Sequence, residues 1–165
     1  MMMGRVLVLA VVAFVGCAAP PPPPPPPTGL TTVVVAPVTN KTGSALAIAG
    51  DTYVEKWMGV TRRAVPDALA KELETTLRDE GFAVGGSGPR LTVVLRRFEP
   101  DLPQLSYVTV SLTATLTDPD GTVRWTVDRS SWLVSTTGSP SLKVTYETAV
   151  RTVARGLVDD WQPAH

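Results

Sequence analysis

Residues able to do chemistry are scarce in this 165-residue chain. It has one Cys, Cys17, and one His, the final residue His165. A lone thiol makes neither an internal disulfide nor a zinc cage, and a terminal His leaves a serine nucleophile without its familiar base. Ser–Lys catalysis needs a Lys buried beside a Ser. Lys41, Lys56, Lys71 and Lys143 fall instead in loops or on an outward helix face. Asp159 and Asp160 are adjacent, so on a helix they point about 100° apart and make a poor metal pair. Gly85-Gly86-Ser87-Gly88-Pro89 lacks the Lys-Ser/Thr of a phosphate loop and leads into a strand. Fifteen basic residues balance fifteen acidic ones, which removes the electrostatic case for nucleic acid. The expectation is a protein with no catalytic residues, no metal and no cofactor.

Cys17 has a distinctive setting. Arg5 is the only charge before an apolar run from Val6 to Gly16. At about 1.5 Å per residue this run spans about half of a ~30 Å hydrocarbon core, too little for a membrane helix. A basic start, a short apolar run and small residues at its end read as an export signal. The junction Phe14-Val15-Gly16-Cys17 resembles the lipobox of bacterial lipoproteins, with Phe14 in place of the usual Leu. The resemblance implies cleavage before Cys17 and multiple acylation of its thiol; a single chain, at about 0.8 kcal/mol per buried methylene, anchors only marginally. Ala18 stands where inner-membrane retention requires Asp, so the resemblance implies the outer membrane, facing the periplasm. Pro20 to Pro27 hold half of the 16 prolines. Such a run adopts polyproline II and reaches about 25 Å at ~3.1 Å per residue. The chain therefore divides into a signal peptide (1–16), a lipidated Cys with a Pro-rich tether (17–29) and a single α/β domain (30–165).

The elements of that domain follow from periodicity. Thr31 to Val38 is a β-branched, apolar run that suits a central strand, followed by a turn cluster from Thr39 to Ser44. Leu46 to Val60 is ambiguous, with Thr52-Tyr53-Val54 either a short strand or part of a long excursion. A helix opens at Thr61 or Arg62, has Pro66 in its first turn and places Leu69, Leu73 and Leu77 on one stripe. Gly81 and Phe82 read as its C-terminal cap. Leu91 to Phe98 is a strand. Tyr107 to Thr117 alternates Val108, Val110, Leu112, Ala114 and Leu116 with Thr and Ser, so one face meets a core and the other is polar. Asp118-Pro119-Asp120-Gly121 is a hairpin turn, and the returning strand runs from Val123 to about Val134. A second helix from about Thr145 to Trp161 carries Tyr146, Ala149, Val150, Val153, Leu157 and Trp161 on its apolar side. The order β-α-β-β-β-α predicts an α+β, two-layer α/β sandwich: a mixed four-stranded sheet with two helices on one face.

From Leu73 to Trp161 the landmarks LRDEGF, AVGGSGP, LTVVLRRFEPDL, SYVTVSLTATL and VDDW resemble the YajG-type family of bacterial lipoproteins. The stretch VVVAPVTNKTG also looks like the opening strand of other envelope lipoproteins, including ABC-transport auxiliary and curli- or flagellum-associated ones. YajG-type proteins have no established activity, so the resemblance implies location and fold more than mechanism. The functional expectation is a non-enzymatic, lipid-anchored envelope protein that binds a partner protein at the periplasmic face of the outer membrane. Arg96 and Arg97, on opposite faces of their strand, are the candidate partner-binding residues beside the polar hairpin face. The alternative is a lipid- or small-ligand-binding lipoprotein serving an envelope transport system, with Trp57, Trp125, Trp132 and Trp161 lining a groove. Against both stands the ordinary reading of these side chains as sheet margin and core.

Overall fold

Alternation along the strand from Tyr107 to Thr117 organises the molecule. Val108, Val110, Leu112, Ala114 and Leu116 are fully buried, and the intervening hydroxyl-bearing residues are not. The computed structural model describes residues 24–43, 47–48, 63–102, 104–139 and 141–163. The signal peptide, Cys17, Lys56, Trp57 and His165 lie outside the described residues, as does the segment from Leu46 to Val60 apart from Ala47 and Ile48. In chain order the elements are β1 (Thr32–Val35), β2 (Thr39–Asn40), β3 (Ala47–Ile48), β4 (Arg63–Ala64), α1 (Val65–Asp79), β5 (Ala83–Val84), β6 (Arg90–Pro100), β7 (Tyr107–Thr117), β8 (Val123–Ser135) and α2 (Leu142–Val158).

The class is α+β, as the periodicity predicts, but the main sheet has six strands where four are expected. Its order is β5-β1-β6-β7-β8, with β2 also pairing with β6; β3 and β4 form a separate antiparallel pair. The strand expected over Thr31–Val38 stops at Val35, short of Pro37, which has no N–H to give a ladder, and pairing resumes only at Thr39. β1 pairs in parallel with β6 through Val34↔Arg90, and β2 does so through Thr39↔Val94. Thr39 and Asn40 are thus strand rather than turn. Ala83 and Val84 add β5 beside β1; two residues are too few to show a period. β6, β7 and β8 form the expected antiparallel meander.

Both helices cover one face. Val65, Leu69, Leu73 and Leu77 of α1 join Ala149, Val150, Val153, Ala154 and Leu157 of α2 in one core with Leu91, Val93, Leu95 and Phe98 of β6. α1 begins at Val65, later than Thr61 or Arg62, and those two residues lie outside the described ones. An earlier start would put Pro66 past the first turn, where its missing N–H and its ring disrupt the ladder. Its far end is the predicted cap: Phe82 N–H reaches the Leu77 carbonyl and Gly81 N–H the Arg78 carbonyl, with Gly81 at φ 93°. α2 starts at Leu142, three residues before the expected Thr145, because Ser141 is its N-cap and its hydroxyl accepts from Val144 N–H at 3.3 Å. The helix ends at Val158, so Trp161 follows it. There it packs edge-on against Trp125 (5.2 Å) and Phe82 (6.3 Å), closing one end of the core.

The 118–121 hairpin forms as expected, with Gly121 at φ 89° and its N–H on the Asp118 carbonyl. Asp120 accepts from Thr122 N–H at 2.8 Å, and the Thr122 backbone and hydroxyl hold its carboxyl below the ordinary value. A lowered folded-state pKa adds stability above the unfolded-state value, lost as pH falls through the folded one. Asp120→Asn is expected to flatten that acidic limb in urea titrations at stepped pH, leaving neutral-pH behaviour nearly unchanged.

Gly156 sits inside α2, where a Cβ would come within 2.7 Å of Trp132 Cη2. Glycine costs a helix about 1 kcal/mol relative to Ala, so the close approach of Trp132 is the reason for its presence. Gly156→Ala is expected to lower the urea midpoint despite better helix propensity. In a Trp132→Ala background the same change should raise stability by about 0.5–1 kcal/mol; equal effects in both backgrounds would refute the contact.

Candidate functional site

The face of the sheet away from the helices carries Thr92, Val94, Thr109, Ser111, Thr113, Thr115 and Thr126, all partly or fully exposed. No other described element covers this face, and its hydroxyls stand in cross-strand rows such as Thr92↔Thr115↔Thr126. At the end near the 101–106 loop the face turns apolar. Tyr107 and Leu133 are exposed there, Leu133 at 63%.

Arg96 and Arg97 depart from the sequence reading. They do not lie on opposite faces, because the β6–β7 register shifts between Leu95↔Leu112 and Arg97↔Ser111 and leaves Arg96 as an extra residue. The bulge turns both side chains to solvent between buried Leu95 and Phe98, so neither lies along the sheet margin. Arg96 donates to Thr113 Oγ1 at 2.6 Å and lies 3.4 Å from Asp128 Oδ2. Arg97 pairs with Glu99 at 2.6 Å. The two point along different rows, and the structure does not bring them together on one ligand.

Sequence reasoning missed Arg124 and Asp128. Both lie on β8, and Arg124 Nε is 3.1 Å from the Asp118 carboxylate. Arg96 and Asp128 line the open face beside its outer strand, whereas Arg124, the extra residue where the β7–β8 register shifts between Leu116↔Trp125 and Thr117↔Val123, pairs with Asp118 at the hairpin end. Two signals were available. Leu95-Arg96-Arg97-Phe98 puts two polar residues between two apolar ones, which breaks period two and marks a bulge. Thr126-x-Asp128 continues the polar face of an alternating strand and puts an acid within reach of the strands beside it.

The remaining candidates resolve as structure. Trp125 and Trp161 belong to the core, and Trp132 lies between Gly156 and the Arg129 guanidinium, 5.8 Å from its ring. Their packing among the described residues is that of core and core margin, and Trp57 lies outside the described residues. Lys41 and Lys71 are exposed and Lys143 is half-buried in the first turn of α2. The Gly85–Pro89 loop borders a shallow depression with Gly29–Thr32 and Arg124. The close spacing there is backbone packing: a Cβ on Gly88 would meet the Thr32 carbonyl at 2.7 Å. Among the described residues no group of three or more His, Cys, Asp or Glu could hold a metal, and no helix is long and apolar enough to cross a membrane.

No family model matches the chain, and no curated protein matches it. Solved structures similar to it include a Xanthomonas campestris protein assigned to the family DUF330, 23% identical over 80% of this chain and 90% of that one, at a TM-score of 0.48. Another is PelC from Paraburkholderia phytofirmans, crystallised as a dodecamer, 18% identical over 86% of this chain and 96% of that one, at 0.49. A minor lipoprotein from Acinetobacter baumannii is 14% identical over 77% of this chain and 91% of that one, at 0.30.

The arginine side chains of these pairs are about half exposed, at 51% for Arg96 and 46% for Arg97. Exposed ion pairs contribute about 0–1 kcal/mol. Arg96→Ala and Arg97→Ala are therefore each expected to change the unfolding free energy by less than about 1 kcal/mol, read from urea denaturation. A larger loss would mean that these arginines hold the sheet together and are not free for a partner.

Proposed function

We propose that this chain is a non-enzymatic, lipid-anchored accessory protein of the bacterial cell envelope, related to the YajG-type lipoproteins. It binds a protein partner from the periplasmic face of the outer membrane. The observation that carries this reading is the Gly16-Cys17 junction, followed by a proline run that leads straight into the folded body. Pro27 is buried, the Thr28 carbonyl accepts from Arg124 at 3.5 Å, and Leu30, 2% exposed, bridges to Pro163. The tether thus joins the body at the end of the sheet that carries the Asp118–Gly121 hairpin. β6 and β7 run away from that end for 11 residues each, or about 35 Å.

An anchor at one end and a hydroxyl-lined face along the length suit a body that is held in place and docks laterally. Surface threonines and exposed ion pairs can meet a protein surface without the buried, perturbed groups that catalysis requires. The reading requires no cofactor and no metal.

Two measurements test it in the native host. Intact-mass analysis should find a chain that begins at Cys17 and carries the added mass of acyl groups. An unmodified thiol, or residues 1–16 still attached, would remove the anchor. Photo-crosslinking from Thr113 or Thr115 on the open face should recover an envelope protein, with yield collapsing in a Cys17→Ala control. Recovery of equal amounts from the control would show that anchoring plays no part.

A further inference from the structure

At the tether end the open face closes on a depression. The last row of that face, Val34↔Arg90↔Thr117, lines a hollow of about 360 Å³. The Gly86–Gly88 loop between β5 and β6 and the 118–121 hairpin border it. Small-ligand sites begin at about 300 Å³, so the space suits one compact group. Its donors are uncommitted. Among the described residues the Arg90 guanidinium and the N–H groups of Gly86 and Ser87 have no hydrogen-bond partner, and Arg90 is exposed. The other arginines near this face are engaged, Arg96 with Asp128 and Arg97 with Glu99. The acid that lines the depression, Asp118, is held by Arg124 at 3.1 Å, and Asp120 accepts from Thr122 N–H. Arg90 is the charge left over, and it is positive.

We propose that this depression binds the phosphoryl group of a phosphomonoester. The loop is shaped for an anion. Gly85 and Gly86 have φ 112° and 73°, and a Cβ on Gly88 would meet the Thr32 carbonyl at 2.7 Å, so the turn is pressed onto β1. Successive N–H groups in such turns make anion-binding concavities. No helix follows the loop to add its dipole; the neighbouring strand supplies the guanidinium of Arg90 instead. A planar guanidinium takes two oxygens of an oxyanion in a fork. A carboxylate is used up by that fork, whereas a phosphomonoester keeps a further oxygen for the Gly86 and Ser87 N–H groups. The place also matters. Gly29–Thr32, where the tether enters the body, border the far side of the same Gly86–Pro89 loop. A lipid head of the anchoring membrane and a soluble phosphoester carry the same chemistry to this end. The proposal goes beyond the protein partner argued above and does not rest on it.

The test uses the full chain in an uncharged mild detergent. Calorimetric titration with glycerol 3-phosphate should show saturable binding at one site per chain, and succinate at equal ionic strength should bind far more weakly. Arg90→Gln should weaken the binding by about tenfold or more, the worth of charge-assisted hydrogen bonds. Arg97→Gln, the same change of charge outside the depression, should bind as the unaltered chain does. Thr117→Glu leaves Arg90 in place and sets a carboxylate opposite it, so it should abolish binding too, and it covers the case where Arg90→Gln does not fold. Doping the micelles with phosphatidic acid separates the two sources. A weaker apparent affinity for glycerol 3-phosphate means that the lipid head reaches the site, and an unchanged one means that the phosphoester is soluble. The proposal is overturned by the absence of saturable binding, by succinate binding as tightly, by Arg90→Gln binding normally, or by an equal loss in Arg97→Gln.

Discussion

A sheet with five fully buried side chains on one side of a single strand must be covered on that side and only there. Val108, Val110, Leu112, Ala114 and Leu116 impose this on β7, and the stripes of α1 and α2 satisfy it. Each fully buried aliphatic side chain of Val or Leu size contributes about 1.5–3 kcal/mol. The exposed ion pairs of the other face contribute about 0–1 kcal/mol each. Stability therefore resides almost wholly on the helix side. The hydroxyl-lined face is not needed to hold the fold, which leaves it free to serve a surface role.

The same constraint explains why the two ends of the folded domain meet. Leu30, Phe82, Trp125 and Trp161 come from the start of the domain, the end of α1, the start of β8 and the residues after α2. They close the core where the two helices leave the sheet uncovered. Because Leu30 belongs to this cluster, the Pro-rich segment before it leaves the body at a fixed place.

Legibility in the sequence followed the length of each pattern. β7, the 118–121 hairpin, the leucine stripe of α1 and its Gly81–Phe82 cap were readable, because a period repeated over many residues or a positive-φ glycine specifies local geometry. β2 and β5 were not, since a two-residue strand exists only through its neighbour in space. The N-terminus of α2 is hidden because its apolar stripe becomes regular only from Tyr146, whereas the helix is started by the Ser141 cap four residues before the Thr145 the stripe suggests. At the candidate site the error was one residue of register. Strict alternation put Arg96 and Arg97 on opposite faces, and the bulge between Leu95 and Phe98 put both in solvent. Arg124 and Asp128 were visible as residues but not as the partners of Asp118 and Arg96, because those pairs form only once the hairpin and the sheet are folded.

The unequal margins bear on how far the sheet can grow. A fibril requires two edges that can each template another strand. Among the described residues the margin at β5 is a two-residue stub, too short to seed a ladder, and the regular part of β8 lies between the register shift at Arg124 and the Ser131 kink. Any extension through the backbone therefore saturates after a single addition, and the architecture itself guards a threonine- and valine-rich sheet against runaway polymerisation.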